Sequence, residues 1–473
     1  MAPSVSILFF MLGLQLNFRF FIFLLALGFA AYGNALGNGF VLDDHMLLDE
    51  GIIKNPWCIL DHFRPGEDSF CYRPWLRVAL TIGYAIFGDN SYGYHLINFL
   101  LLWLCAVLFY SLVFAISRDF WTAALAACFF LLHPYNSIFV NFITTVNVLL
   151  EMLFLLGSLL CVMGGNWVWS AIFFIFGLGC HESAILLPFC AWGLTGFRRT
   201  VVLWTIALLY FFWHMHYASF SSNIFDHYSQ FQISIFQFFA GLLKLTYWYC
   251  SKLLYPSGIV FTWGVKAIAG LNGLLIFGFF ALLGGSWITW RYLRVDKAQR
   301  WGAIWFAVGL IPLVLGSLAK PKWFLMIEPY WLFFSLMGFC LLLAREATKE
   351  LVKPRRFLAG TMVVVILVSW IMTDRLYNHL WSNEAAYCQY WLLEFPGYRA
   401  IHQYLAQVYE IQGNWELAQE ENFLSLTEHP ADKFHYLMFK GLLMIKQRQS
   451  KELKERTAIE GTRNHFGDMT KNR

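Results

Sequence analysis

Long apolar blocks joined by short polar connections make up most of this chain. The runs 20–31, 96–116, 267–290, 301–318 and 357–373 hold few or no charged residues, and most approach the ~20 residues a helix needs to cross a hydrocarbon layer. Helices must do the crossing, because unpaired backbone groups are too costly in lipid. The pattern therefore predicts an all-α fold, a polytopic membrane helix bundle. The stretch 236–255 also has the length of a span, but it carries Lys244 and Lys252 among many aromatic residues, which suits a re-entrant or interfacial element. With that reading the crossings number about eleven. No small-residue cleavage site follows the run 20–31, so a retained helix is predicted there rather than a removed signal.

After residue 373 the pattern changes, and polar and charged residues return. Trp381 and Trp415, Leu392 and Leu426, Glu394 and Glu428, and Pro396 and Pro430 are each 34 apart, the period of a tetratricopeptide unit. Leu405, Ala406, Tyr409, Gly413 and Ala418 fall where such a helix pair needs packing residues, small contacts and a stop. Two domains are thus expected: a membrane domain over 1–373, with a first loop over 38–72, and a TPR-like helical domain with a polar tail over 374–473. An ordinary helical hairpin with a chance period is the plainer alternative.

Composition excludes a soluble class. Of 473 residues, 59% are hydrophobic, 19% aromatic and only 13% charged, more apolar surface than a water-soluble core can hide. The net charge of +5 reflects membrane topology rather than nucleic-acid binding. Arg118, Arg198 with Arg199, Arg291 to Arg300, and Arg345 to Arg356 form basic clusters, and short basic loops stay in the cytoplasm. That rule puts the N-terminus inside, and the loop 38–72, residues 133–141, 180–183 and 320–328, and the C-terminal domain outside. Ten cysteines are scattered, mostly within spans; Cys58 and Cys71 share the first loop and can pair in an oxidising compartment.

Candidate chemistry lies where charge meets the membrane. GFVLDDHMLLDEG (39–51) follows the first span and sets Asp43 and Asp44 at the outer surface. Adjacent carboxylates repel and raise one pKa, which suits a general base or a ligand to a divalent cation. Other polar residues interrupt apolar runs on the same face: Arg73, His95, Asn98, His133, Asn141, Asn147, Glu151, His181, Glu182 and Glu328. Any one of these is more often a satisfied structural hydrogen bond than a ligand contact. Together they predict a polar cavity, since polar groups within spans usually line one.

The order of these motifs resembles the GT-C glycosyltransferase superfamily, and within it the transmembrane and tetratricopeptide-repeat proteins related to protein O-mannosyltransferases. FVLDDHMLLDEG resembles the family's acidic motif, and YRPWLRVALTIGYAIFGDNSYGYHLINFLLLWL its YRP to GYHxxN segment. FFLLHPYNSIFVNF resembles the HP loop, CHESAILLPF the KES/T to P segment, LLYPSG an outer-loop motif and MIEPYWLFFSLMGF the ERYLYLPSLGF segment. The correspondence runs in order through most of residues 20–430. It implies an inverting transfer from a polyprenyl-phosphate-linked sugar to a hydroxyl, such as Ser/Thr of a protein held by the TPR-like domain, with Asp43 or Asp44 as base. Arg73, His95, His133, His181, Glu182 and Glu328 would line the donor site. Relatives carry an acid and an arginine where this chain has Ile138 and Val146, and a lysine at His181. Lys320, Lys322, Arg64 or His181 are the residues available to replace the missing basic groups. Any metal would fall to Asp43 and Asp44. A non-catalytic assembly protein and a lipid-linked sugar transporter share the composition, though a transporter should show pseudo-symmetric halves. The absence of N-x-S/T acceptor sites favours a bacterial inner membrane over the endoplasmic reticulum.

Overall fold

The computed structural model describes residues 17–64, 72–217, 235–256, 265–266, 278–279, 283–287, 290–291, 295–312, 324–325, 329–394 and 399–426. Helices dominate: α1 (Phe18–Tyr32), α2 (Asp43–Leu48), α3 (Pro74–Phe87), α4 (Ser91–Ser117), α5 (Phe120–Leu132), α6 (Ser137–Asn141), α7 (Val146–Met163), α8 (Trp167–Leu178), α9 (Leu187–Thr195), α10 (Phe197–Tyr217), α11 (Ile235–Leu254), α12 (Lys297–Gly309), α13 (Phe333–Leu351) and α14 (Arg356–Trp381). α15 (Glu384–Glu394), α16 (Arg399–Ile411) and α17 (Trp415–Leu426) follow. The only strands among the described residues are Val265–Lys266 and Phe324–Leu325, paired antiparallel. The chain divides into two compact units, Met1–Asn383 and Glu384–Arg473.

Among the described residues five stretches are long and apolar enough to cross a membrane: Phe18–Ala35, Ser91–Ser117, Ile143–Met163, Tyr330–Leu351 and Arg356–Trp381. α5 and the turn and helix over Pro134–Asn141, bent by 48° to each other, make a sixth when counted as one broken span. The first unit is thus an integral, multi-pass helix bundle. Its centre is α4, flanked by α1, α5 and α7, with α13 between α5, α12 and α14. Leu102, Phe109, Phe129, Phe130, Leu149, Leu155 and Leu156 fill the interior. α14 turns Met362, Val365, Val368 and Met372 outward, the surface a lipid-facing helix presents.

Local sequence sets the helix ends. The side chains of Asn17, Asn90, Asp119 and Asp296 accept backbone N–H bonds from Phe20, Tyr92, Trp121 and Gln299, closing first turns whose donors would otherwise be unmet. Arg345 joins two of these caps, with Nε 2.9 Å from Asp296 and Nη1 3.4 Å from Asp119. That fixes one end of the bundle, which also holds Arg118, Arg198, Arg199 and Lys353. The opposite end carries the acidic loop, and successive helices alternate between the two.

α3 is an exception to this alternation. Trp75 at its start stacks on Phe176 at 4.8 Å, near the end of α8, and Phe87 at its close meets Tyr94 at the start of α4. Both ends of α3 therefore lie at the acidic end, and the helix makes no crossing. The close of α10 and the close of α11 lie at that end as well. α10 reaches the acidic end, where Trp213 meets Tyr72 at 4.7 Å. Leu253 and Pro256 are at that end too, their carbonyls bonded to His133 and Tyr377 at 3.2 Å each. Residues 218–234, between α10 and α11, lie outside the described residues. α12 then starts at the basic end; the run 267–290, expected as a span, lies mostly outside the described residues.

Glycine lets α12 and α13 meet backbone to backbone. A methyl group at Gly338 would lie 2.4 Å from the Phe306 nitrogen and 2.6 Å from the Gly302 carbonyl oxygen, and one at Gly309 would lie 2.4 Å from the Ser335 nitrogen. Backbone atoms cannot yield as a side-chain tip can. Gly338→Ala is expected to lower stability by about 1–3 kcal/mol, the usual range for overpacking. Thermal unfolding of the detergent-solubilised protein reads this as a lowered midpoint, and an unchanged midpoint would refute the close packing.

The second unit stands by itself as a short helical array. α16 packs on both α15 and α17, turning at Gly413 with φ +78°, a value that favours glycine. Leu405, Ala406 and Ala418 are buried. Gln389 donates to Tyr409 at 2.7 Å and His402 pairs with Glu421 at 2.6 Å. Of the 34-residue spacings, Pro396, Glu428 and Pro430 lie outside the described residues.

Candidate functional site

The acidic motif folds so that its two carboxylates part company. After α1 the chain turns at Leu42, whose φ of 53° and ψ of −127° suit glycine and cost a branched side chain about 1–3 kcal/mol. α2 begins at the next residue. Asp44 is fully buried, and its oxygens accept backbone N–H bonds from Val41 at 3.2 Å, Ile143 at 3.2 Å and Thr144 at 2.9 Å. The carboxylate thus latches the first loop onto the turn that opens α7. Asp43 lies at the surface, and no side chain among the described residues pairs with it.

Burial pushes the Asp44 carboxyl up to about 7, against the pull of its three N–H donors. Asp43 is recessed enough that burial raises its pKa as well. Desolvation, rather than repulsion between neighbouring carboxylates, accounts for both shifts, because successive helical positions send the two side chains in different directions.

Asparagines and His95 hold the loop that carries this turn. His95 is buried, with Nδ1 2.7 Å from the Val140 carbonyl and Nε2 3.0 Å from the Asn38 carbonyl. Asn38 donates to the Asn141 side chain at 2.7 Å and to the Asn378 carbonyl at 2.8 Å. Asn141 donates in turn to the Asn378 side chain at 2.6 Å, and Asn378 to the Ala31 carbonyl at 2.9 Å. The network ties the close of α1, the bend after α5 and the end of α14 together. His95 is a strut within it. His133 is structural too: Nδ1 accepts the Tyr135 N–H at 3.2 Å while Nε2 meets the Leu253 carbonyl.

A second cluster gathers around Arg73, just before Pro74 opens α3. Its Nε lies 3.1 Å from both oxygens of Glu182, and its Nη2 2.8 Å from Oε2. About a quarter of each side chain remains exposed, so solvent reaches the pair. Behind it His181 is buried. Its Nδ1 accepts the Ser183 N–H at 3.2 Å and lies 2.7 Å from the Ser183 hydroxyl. That hydroxyl also lies 2.6 Å from Oε1 of buried Glu151. His214 of α10 is close enough to feel both Arg73 and Glu182, and the Tyr330 ring lies 5.7 Å from His181.

The two clusters share α7 as their frame. Asp44 grips Thr144 just before the helix, and Glu151 lies seven residues farther, roughly 10 Å along the axis. Glu50, at the close of the acidic motif, pairs with Arg77 at 3.4 Å, one turn from Arg73. The end of the bundle thus presents, among the described residues, an unpaired carboxylate at Asp43 and a guanidinium–carboxylate–imidazole group around Arg73.

Not every predicted residue joins them. Glu328, Lys320 and Lys322 lie outside the described residues, as does Cys71; the Cys58 sulfur accepts a bond from Asn55 at 3.1 Å. Arg64 pairs with Asp61 at 3.0 Å on the surface. No group of three or more His, Cys, Asp or Glu among the described residues is arranged to hold a metal. Asp43 and Asp44 do not fit a chelate either, since the oxygens of Asp44 face N–H donors. Sequence reading passed over Ser183, His214, Asn38 and Asn378. Asn378 had a signal, an amide among apolar residues four places after Asp374, but the expected boundary at 373 put it in the polar tail.

No family model matches the chain, and no curated protein matches it. Among solved structures the chain is similar to the crystal structure of ArnT from Cupriavidus metallidurans bound to undecaprenyl phosphate, at 15% identity and a TM-score of 0.43, over 86% of this chain and 74% of that one.

Proposed function

We propose that this chain is a membrane glycosyltransferase of the GT-C type, moving a sugar from a polyprenyl-phosphate-linked donor to a hydroxyl. The observation that carries the reading is that one end of the bundle holds both an exposed carboxylate, Asp43 on a strained turn, and a guanidinium that solvent reaches, Arg73. The ordered motif resemblance supports it independently. Asp43 takes the proton of the acceptor hydroxyl as that oxygen bonds the anomeric carbon. The bond from that carbon to the phosphate oxygen breaks on the opposite face, its electron pair leaves with the phosphate, and the configuration inverts. Asp44 positions Asp43 and does not touch the substrate.

The basic end faces the cytoplasm under the positive-inside rule, which sets the reaction on the periplasmic or lumenal face, in a bacterial inner membrane. The second unit emerges on that face, where a helical array suits a polypeptide acceptor bearing Ser or Thr. A non-catalytic assembly role is favoured by one observation: Glu182 already neutralises Arg73.

Mass spectrometry of exported proteins from cells with and without this chain separates the readings. Transfer predicts sugar-mass additions on Ser or Thr that depend on the chain. Identical glycan profiles, together with no donor consumption by the purified protein in membranes containing polyprenyl-phosphate sugars, would sink the enzymatic reading.

A further inference from the structure

We infer that the Glu182 carboxylate occupies an anion subsite and that the phosphate of a polyprenyl-phosphate lipid binds by displacing it, taking both Arg73 and the Nε2–H of His181. The inference rests on the reading above for its ligand and goes beyond it in assigning an exchange.

The tautomer of His181 is the first step. Its Nδ1 accepts the Ser183 N–H, so in the neutral ring the proton sits on Nε2; the Ser183 hydroxyl 2.7 Å away then donates to Nδ1 and accepts from the protonated Glu151 carboxyl. That Nε2 is buried and has no hydrogen-bond partner. The nearest anion is Oε2 of Glu182 at 3.7 Å, too long for a hydrogen bond. A buried donor without an acceptor is costly, and here it faces the pair that a ligand would enter.

Geometry explains why Glu182 cannot satisfy it. A carboxylate has two oxygens in one plane, and the three bonds from Arg73 fix that plane against the guanidinium. A phosphate offers a third and fourth oxygen out of the plane. Seated on the same guanidinium fork, it can direct one of them to Nε2. Ser183 and Glu151 hold the imidazole in place for this contact, and the partial exposure of Arg73 and Glu182 gives the lipid a way in.

Binding by the full-length protein in nanodiscs, with undecaprenyl phosphate as the probe and the phosphate-free polyprenol as control, tests the exchange. Glu182→Gln removes the competing charge while keeping the side-chain shape, and affinity for the phosphate lipid should rise roughly threefold or more, given how little a part-exposed ion pair contributes. Arg73→Ala should lose about tenfold or more. His181→Ala should lose severalfold and His181→Gln, which restores an N–H, should recover part of it. Polyprenol binding should not change in any variant. Structural damage weakens binding, so tightening is a result that a merely structural Glu182 cannot give. If Glu182→Gln does not fold, Glu182→Asp, with its shorter reach to Arg73, carries the same expectation. Unchanged or weaker phosphate-lipid binding in the Glu182 variants, with the wild type binding well, overturns the exchange alone. Failure of the wild type to prefer phosphate lipid over polyprenol overturns the donor reading as well.

Discussion

Asp43→Asn is expected to reduce sugar transfer by about 10²–10⁴-fold, the contribution of a positioned general base, while the protein folds and accumulates normally. Asp43 sits on the first residue of α2, at the surface, with no pairing side chain among the described residues, so the amide replaces the carboxylate without stranding a partner. Its local environment raises the carboxyl pKa, which brings a proton acceptor closer to the working pH. Chain-dependent glycan on exported proteins, read by mass spectrometry beside a membrane-expression blot, checks the result. A variant that is present at wild-type level and still glycosylates would remove Asp43 from the mechanism.

Asp44→Asn should behave differently, by losing stability in a pH-dependent way. An amide at position 44 keeps one acceptor oxygen but turns an NH₂ toward backbone N–H groups, so the three bonds from Val41, Ile143 and Thr144 cannot all survive. Loss of such bonds costs about 1–3 kcal/mol and releases the loop that aims Asp43. A carboxyl whose native pKa is raised holds its proton more tightly when folded. Between the unfolded value near ~3.9 and the native value of about 7, native protein carries the extra proton, and stability falls as pH rises by up to ~1.4 kcal/mol per unit. Above the native value the loss is complete and the curve flattens. The amide of the variant does not ionise and escapes this loss, so the melting-temperature gap between wild type and variant should be widest near pH 5 and narrow by pH 8. A gap that stays constant across that range would mean that Asp44 titrates like a surface carboxylate.

Much of this fold was legible in one dimension, because burial in lipid demands long uncharged runs. The spans read at 96–116 and 357–373 and the polar face at one end follow from run length and charge bias. The helical tail announced itself through Leu405, Ala406, Gly413 and Ala418, whose small or apolar character fits a turned helix pair. α3 was less legible, since its 14 residues have the apolar content of a short span, and only the contacts of Trp75 and Phe87 show that it never leaves the acidic end.

The site divides along the same line. The sequence by itself determined that the protein lives in a membrane and that Asp43, Asp44, Arg73, His181 and Glu182 share one end, because chain direction and charge fix which end each residue occupies. Only the tertiary structure decided which aspartate is free and which is a latch, since that depends on three N–H groups, two of them about a hundred residues away. The same holds for His95 and His133, which serve as struts, and for Arg73, whose charge meets Glu182 across 109 positions. Spacing along a chain cannot report a contact made in space.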